Sequence, residues 1–359
     1  MTNSNTHTDE KKLDSSIVPA LLNWYDHNAR ILPWRSEPSP YRVWISEIML
    51  QQTRVEAVKP YYDRFMEALP DVKALAEVEE EKLLKLWEGL GYYNRARNLK
   101  RAAETVMEEF GGKIPENYEG LLSLKGIGEY TAGAIASIAL KIPVPAVDGN
   151  VMRVVARLLA CGDDVLKVST KRWMTKAVAS IIPKERPGDF NQALMELGAV
   201  VCLPNGAPLC EKCPWDTVCK AHYQDREQEF PYKQPKKSRK IQKKAVYLLE
   251  YENRFALRKR PESGLLAGLW EFPTFDCGQQ GDNVDKILDN SVESSENVDK
   301  IGTGKHIFSH IEWHMTGYYI LLQKKLKSDS LIWVTKEELE QEYAVPSAFA
   351  FMKDFLYKQ

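Results

Sequence analysis

The spacing of apolar residues changes once along the chain, near residue 245, and this change restricts the folds open to it. Up to residue 222, apolar side chains recur at helical spacing, and strand-like segments are scarce. From Ala245 onward, short runs rich in β-branched and aromatic residues follow one another, and Glu252 and Asn253 separate two of them as a hairpin turn would. The sequence therefore predicts a mainly α N-terminal domain followed by an α+β domain.

The intervening segment, residues 231–244, has seven basic residues, no acidic residue and two prolines. Such a composition is typical of an exposed linker. We therefore expect a disordered N-terminus over residues 1–13, a helical domain over 14–230, this basic linker, and a second domain over 245–359. Residues 276–302 are polar and acid-leaning, and we expect them to form a mobile loop.

The overall composition is that of a folded chain, with 44% hydrophobic and 28% charged residues. No segment is long and apolar enough to span a bilayer, and the first sixteen residues lack the apolar core of a signal peptide. We therefore expect a cytoplasmic protein. The net charge of −1 does not suggest a nucleic-acid partner, but a sum hides how the charges are distributed.

Four of the six cysteines are crowded into residues 202–219, with the spacing C-x7-C-x2-C-x5-C. Thiols this close in a cytosolic chain are more often metal ligands than disulfides. Zinc modules usually offer two short cysteine pairs, whereas only one such pair is present here. The pattern favours an iron–sulfur cluster, with zinc as the alternative. The ligands would be Cys202, Cys210, Cys213 and Cys219.

The segment Leu124-Lys125-Gly126-Ile127-Gly128 lies between two stretches of helical periodicity. Glycines at Gly126 and Gly128 allow a tight turn and close approach of a phosphate to the backbone. The free N–H groups of the following helix would then point at that phosphate. This pattern predicts a helix–hairpin–helix that grips the DNA backbone without reading base sequence, although a G-x-G before a helix also occurs as simple turn punctuation.

Two carboxylates, Asp148 and Glu47, are candidate catalytic groups. Asp148 precedes a helix, so it is expected at least to cap that helix. Glu47 lies in an otherwise apolar helix, where it would be half-buried unless it sits on the solvated face. Burial would raise the pKa of such a carboxyl, as a general acid requires. Two carboxylates in different environments form the arrangement that breaks glycosidic bonds.

Taken together, the motifs resemble those of the helix–hairpin–helix DNA glycosylases that carry an iron–sulfur cluster, and more narrowly the adenine DNA glycosylase (MutY) family. The similar segments are LPWR, EIMLQQTRV, GLGYYNRARNL, KGIGEYTAGAI and VDGNVMRV in the first domain, and RPESGLLAGLWEFP and FSH in the second. The resemblance extends from about residue 14 to 357. It implies a second domain that is Nudix-like and recognises 8-oxoguanine opposite the target adenine.

The resemblance also implies catalytic roles for several residues. Glu47 would protonate adenine N7, and Asp148 would stabilise the cationic sugar with help from Asn150. Tyr130 stands where bifunctional relatives of the endonuclease III type have a nucleophilic lysine. Because tyrosine cannot form a Schiff base, a monofunctional glycosylase is expected, with a bifunctional pyrimidine glycosylase/lyase as the alternative. The adenine pocket would be shaped by Arg30, Leu32, Trp34, Arg35 and Gln192.

The same resemblance implies which residues touch DNA. Gln52 and Tyr92 would enter the base stack, with Thr53 in support, and Phe308, Ser309 and His310 would meet 8-oxoguanine. Lys125 with the two hairpin glycines would hold the backbone. We expect a positive strip formed by Lys125, Arg54, Arg95, Arg97 and the basic linker. The implied cofactor is one [4Fe-4S] cluster, and the implied partner is duplex DNA containing A:8-oxoguanine or A:G mispairs, bound by a monomeric bacterial protein at the nucleoid.

Two features depart from the family pattern. The first two cluster cysteines, Cys202 and Cys210, are separated by seven residues where six are usual, an insertion that a glycine- and proline-containing loop absorbs. The glutamate-rich metal-binding box of Nudix hydrolases, REUxEExGU, is absent after LWEFP. We therefore expect the second domain to bind damaged DNA without hydrolysing nucleotides.

Overall fold

The computed structural model describes residues 12–235, 238–277, 298–326 and 328–358. Most of the predicted disordered N-terminus lies outside these residues. By their contacts, the described residues form two compact units. The first contains the chain up to Glu77 together with Asn98–Pro235, and the second contains Val78–Arg97 together with the chain from Lys236 onward.

The part of the chain before residue 236 is helical, as the sequence predicts. Its α-helices are α1 (Val18–Asn28), α2 (Pro40–Leu50), α3 (Val55–Ala68), α4 (Val72–Glu77), α5 (Glu80–Leu86), α6 (Asn94–Glu109), α7 (Tyr118–Ser123), α8 (Glu129–Ile138), α9 (Gly149–Leu158), α10 (Val168–Ala179), α11 (Pro187–Val200) and α12 (Lys220–Tyr223). Side chains of Ser39, Asn117 and Asp148 cap α2, α7 and α9 by accepting backbone N–H groups. Within the described residues, no helix is both long and apolar enough to cross a bilayer.

Helix α8 lies at the centre of the first unit, where it packs against α2, α7 and α11. Small residues make this close packing possible. A Cβ atom at Gly133 would lie 2.2 Å from the carbonyl oxygen of Pro145, and one at Gly188 would lie 2.8 Å from Ile138 Cα. The small side chains of α8 thus bring its N-terminal end and the start of α9 into one region of the unit.

The second unit contains a seven-stranded mixed sheet in the order β3-β2-β1-β6-β5, with β4 also paired to β1 and β7 to β2. The strands are β1 (Lys240–Tyr251), β2 (Arg254–Lys259), β3 (Trp270–Glu271), β4 (Thr274–Asp276), β5 (Val298–Ile307), β6 (Ile311–Leu321) and β7 (Leu331–Val334). Strands β1 and β6 run parallel, with Lys240 opposite Ile311 and Glu250 opposite Leu321. The predicted hairpin turn joins β1 to β2, and both Glu252 and Asn253 have positive φ.

Because successive side chains of a strand point to opposite faces of the sheet, they pack into two cores, one on each face. On one face, Val246, Leu248 and Trp313 pack with residues of two C-terminal helices, α13 (Lys336–Gln341) and α14 (Ala350–Leu356). On the other face, Tyr247, Leu249 and Ile320 form a smaller cluster. The predicted α+β class of this domain is confirmed.

Two segment predictions are corrected in part. Strand β1 begins at Lys240, inside the segment predicted to be a linker, because residues 240–244 pair with residues 311–315 of β6. Strand β4 includes Asp276, and β5 begins at Val298, inside the segment read as a mobile loop, because Val298–Lys300 pairs with β6. Residues 278–297 lie outside the described part of the chain.

Candidate active site

A cavity of about 730 Å³ opens in the helical unit among α2, α8, α11 and the start of α9. Pockets that bind small ligands usually have volumes of this order. The cavity brings together twelve of the residues that the sequence singled out. These are Arg30, Leu32, Trp34, Arg35, Glu47, Gln52, Thr53, Arg54, Tyr130, Asp148, Asn150 and Gln192.

Glu47 projects from α2 and is only 6% exposed, so it is more deeply buried than the half-burial expected from the sequence. Burial raises the pKa of Glu47 to about 7, and the negative charge of Asp148 adds to this effect. The Tyr130 hydroxyl donates a 2.5 Å hydrogen bond to Glu47 Oε2, which together with the charge of Arg35 opposes the rise. The result is a carboxyl group that exchanges its proton near neutral pH.

Asp148 caps α9, as the sequence predicts, and it also lines the cavity. Its Oδ1 accepts the backbone N–H of Val151 at 2.8 Å, which caps α9, while Oδ2 accepts a 2.8 Å bond from Asn150 Nδ2. Burial raises the pKa of Asp148, whereas these two hydrogen bonds favour its ionised form. The carboxylate is therefore fixed in direction at the cavity wall.

Asn150 is itself held by a buried arginine. Arg153 Nη2 donates to Asn150 Oδ1 at 2.9 Å and to the carbonyl of Gly198 at 2.7 Å, and its Nε donates to the carbonyl of Cys202 at 2.9 Å. The orientation of Asp148 thus depends on a continuous hydrogen-bonded chain that ends at the cysteine-rich loop.

The cavity also contains residues that the sequence analysis missed. Glu196 on α11 is 1% exposed and bonds to both Arg30 and Arg35. Glu196 follows Gln192 by four residues, so helical spacing places both on one face of α11. This spacing is visible in the sequence and would have identified Glu196. Lys171 of α10 also lines the cavity and pairs with Glu129 at 3.7 Å.

The predicted hairpin lies between α7 and α8, with Lys125, Gly126 and Gly128 exposed. Gly126 has a φ of +81°, and a Cβ atom there would lie 2.7 Å from Asn98 Cβ, so only glycine fits this turn without strain. At Gly128 a Cβ atom would meet no atom within 4 Å. The hairpin is therefore open to a ligand in front of the N-terminal end of α8.

The remaining predicted DNA-contact residues belong to the second unit. Tyr92 is 49% exposed and has a φ of +48°. Phe308 packs between His306 and Trp313, with ring centroids 4.6 and 5.0 Å away. Ser309 and His310 are exposed at the turn between β5 and β6.

Two members of the predicted positive strip are not surface cations. Arg95 is held inside its loop by bonds to the carbonyls of Leu90 and Gly91, and burial lowers its pKa to about 10. Arg97 is paired with Glu80 at 2.7 Å and is 12% exposed. Both guanidinium groups are engaged by neighbouring protein groups, so the expected positive strip is corrected to leave out Arg95 and Arg97. Arg54 and Lys125, which also belong to the expected strip, are exposed.

The four clustered cysteines line one small cavity of about 30 Å³. Arg157 borders it, with Nη1 3.3 Å from Cys202 Sγ, so a positive charge lies beside the thiols. Burial raises the pKa values of Cys210 and Cys213 to about 12, and a bound cation would favour the ionised form of such thiols. Four converging soft donors fit a cluster or a zinc ion. The ligand atoms of Cys210, His222 and Glu227 also lie within 4.8 Å of one another.

Comparison with known proteins finds one family match in the helical part of the chain and another in the part that forms the sheet. The chain matches the HhH-GPD superfamily base excision DNA repair protein family over residues 45–183 and the NUDIX domain family over residues 245–352. It is 35% identical to an adenine DNA glycosylase of Rattus norvegicus, across 89% of this chain and 73% of the relative. An adenine DNA glycosylase of Buchnera aphidicola is likewise 35% identical, across 85% of this chain and 86% of the relative. The solved structure of a thermostable thymine-DNA glycosylase superimposes with a TM-score of 0.52 at 27% identity, covering 61% of this chain and all of that one.

Proposed function

The chain belongs to the adenine DNA glycosylase family, and from this membership we propose that it removes adenine mispaired with 8-oxoguanine or guanine in duplex DNA. It is a monofunctional DNA N-glycosylase of base excision repair, and it binds DNA. The observation that carries the proposed chemistry is the buried Glu47, whose pKa is raised to about 7, in a cavity that it shares with Asp148.

In the proposed reaction, adenine leaves the base stack and enters the cavity. Tyr130 donates to Oε2 of Glu47, so the carboxyl proton resides on Oε1 and passes to adenine N7. The C1′–N9 bond then breaks, and its electron pair leaves with adenine. Asp148 stabilises the positive sugar until water adds at C1′ and its proton returns the Glu47 carboxylate to the acid form, which leaves free adenine and an abasic site.

The cysteine-rich loop is proposed to hold one [4Fe-4S] cluster through Cys202, Cys210, Cys213 and Cys219. The four thiols on one cavity, with Arg157 beside them, support a metal site, and the presence of a single short cysteine pair favours a cluster over a zinc ion. The cluster would fix the loop whose Cys202 carbonyl accepts a bond from Arg153. Hydrolysis of an N-glycosidic bond needs no electron transfer, so we assign the cluster no step in it.

The second domain is proposed to recognise 8-oxoguanine. The support is the exposed position of Ser309 and His310 at one turn, where polar side chains are free to reach a base edge. Gln52 and Tyr92 are proposed to enter the stack. Both are exposed and hold positive φ, a conformation that surrounding structure must impose on a non-glycine residue. We further propose that the protein acts as a monomer at a bacterial nucleoid.

The proposal is tested by single-turnover release of adenine from duplexes with A opposite 8-oxoguanine, G or T, at one salt concentration. We expect rapid release opposite 8-oxoguanine, slower release opposite G and none opposite T. Equal release from all three duplexes would contradict the assigned specificity. Efficient borohydride trapping of a protein–DNA adduct would instead support the glycosylase/lyase alternative.

Asp148→Asn tests the role of the carboxylate. Asparagine still caps a helix, so the fold and duplex binding should persist while base release is abolished. Asp71→Asn is the matched control, because exposed Asp71 also accepts a backbone N–H, from Ala74, at the start of α4. Near-native turnover by Asp148→Asn would show that Asp148 does not have the proposed role.

A further inference from the structure

Glu196 forms a buried junction between α11 and the segment that precedes α2. Its Oε1 accepts from Arg30 Nε at 2.5 Å and from the Arg30 backbone N–H at 3.2 Å. Its Oε2 accepts from Arg35 Nη2 at 2.8 Å and from Arg30 Nη2 at 3.1 Å. The carboxylate is 1% exposed, so both arginines are held by a group that solvent barely reaches.

The two guanidinium groups are oriented by this single carboxylate. Arg35 also donates from Nη1 to the carbonyl of Arg30 at 3.0 Å and lies over the Tyr25 ring at 5.7 Å. Two positive charges and one negative charge leave the junction with a net charge of +1. Removing the carboxylate charge would raise that to +2 beside the cavity, where burial weakens screening.

The charge of the junction matters because Arg35 lines the same cavity as Glu47 and its charge acts on that carboxyl. Among the described residues, the other groups that act on the charge of Glu47 are Tyr130 from α8 and Asp148 from the start of α9, and Lys171 of α10 lines the same cavity. From α11, Met195 approaches the same region, with its sulfur 3.4 Å from the Tyr130 hydroxyl, and it carries no charge. Glu196 therefore reaches the proposed acid through Arg35.

We infer that Glu196 is a positioning residue for base release, which holds Arg30 and Arg35 at the cavity and offsets the charge that Arg35 presents to Glu47. This inference rests on the proposed role of Glu47 as the acid. The positive charge of Arg35 lowers the pKa of Glu47, and burial opposes that effect. Although burial alone would raise the pKa of Glu196, the bonds from both arginines hold it below its ordinary value, so Glu196 stays ionised near neutral pH.

The test is the pH profile of single-turnover adenine release by Glu196→Gln, which keeps the shape and removes the charge. The alkaline limb, where Glu47 loses its proton, should move to lower pH by about one unit, so that the rate at pH 8 falls roughly tenfold. At pH 5.5 the rate should change less than about threefold. A residue that only braced α11 would lower the melting temperature and the rate without moving the limb.

Arg35→Gln gives an independent arm with the opposite sign. The alkaline limb of Arg35→Gln should move to higher pH. The alkaline limb of the double variant, Glu196→Gln with Arg35→Gln, should lie close to that of the wild type. These positions are compared independently of the maximal rate of each variant. Asp189→Asn is the matched control on the same helix, since it removes a carboxylate from a partly exposed ion pair with Arg186 and should leave the limb in place. Melting temperature and duplex binding identify any variant that does not fold.

Each outcome decides the inference. A limb displaced downward in Glu196→Gln and upward in Arg35→Gln supports it, and an unmoved limb in the folded variants overturns it. If Glu196→Gln does not fold, the double variant decides by comparison with Arg35→Gln, because its limb lies below that of Arg35→Gln only if the charge of Glu196 acts on Glu47. Failure of the proposed function is a separate result, because the wild-type protein would then release no adenine from any mispair.

Discussion

The burial of Glu47 predicts that replacing it by glutamine stabilises the protein while destroying its activity. Glu47 is 6% exposed, and its pKa is raised from 4.5 to about 7, chiefly by burial. Glutamine has nearly the same shape, and its amide oxygen still accepts the hydrogen bond from Tyr130. The substitution therefore removes the cost of a buried charge with little other change.

The magnitude follows from the linkage between protonation and folding. Because the folded-state pKa lies above the unfolded value, the folded protein binds more protons between pH 4.5 and 7, and stability falls as pH rises through that window. At 1.36 kcal/mol per pKa unit, ionising Glu47 costs about 3 kcal/mol above pH 7 and almost nothing below pH 4.5. For a domain of about 150–250 residues, about 3 kcal/mol corresponds to a rise in Tm of ~6–12 °C.

The assay is thermal unfolding of the wild-type protein and Glu47→Gln at pH 8 and at pH 5. We expect the variant to melt several degrees higher at pH 8, with most of the difference gone at pH 5, and to release adenine at least ~100-fold more slowly because the acid is lost. Glu67→Gln is the control, since Glu67 is exposed on α3 and its replacement should change neither property.

Two results would refute this reasoning. If Glu47→Gln is no more stable than the wild type at pH 8, the carboxyl is not held in a desolvated site. If its advantage is equal at pH 5 and pH 8, the gain comes from packing and not from a suppressed ionisation. Retained base release would separately exclude Glu47 as the acid.

Three further predictions concern the same site and its surroundings. Tyr130→Phe removes a bond that favours the charged form of Glu47, so the pKa of Glu47 and the alkaline limb of base release should move up, and a limb moving down would contradict this. Gly126→Ala should lower Tm, because the new Cβ would lie 2.7 Å from Asn98 Cβ, whereas Gly128→Ala should leave Tm unchanged and weaken duplex binding at the open hairpin; equal melting of the two variants would refute the steric argument. Cys213→Ser should reduce bound iron and sulfide per chain, and undiminished iron with loss of zinc would contradict the cluster.

Much of the fold was accessible from the sequence because it follows from local chemistry. Apolar spacing separates helices from strands, and Glu252 and Asn253 do form the turn between β1 and β2. The boundaries were less accessible. Lys240 was predicted to lie in a linker because its neighbours are basic, and Val298 in a loop because it is an isolated apolar residue. Both lie in strands that pair with β6, which is distant in the sequence.

The candidate site, too, was only partly predictable from the sequence. Motif spacing selected Glu47, Tyr130 and Asp148, and the fold brings them into one cavity. Their electrostatics depend on burial and on partners far away in the chain, which spacing does not report. The sequence also counted Arg95 among the exposed cations, although its loop folds around it.

The sequence by itself determined the class of each domain, the family, and the residue types available for acid chemistry and metal binding, because these depend on local periodicity and motif identity. Tertiary structure alone decided which of those residues meet, how deeply they are buried and which charges oppose one another. Glu196 shows the physical reason, since it is separated from Arg30 by 166 residues and yet is bonded to it and to Arg35. Only folding removes such a group from water, and only then does its charge act on the acid beside it.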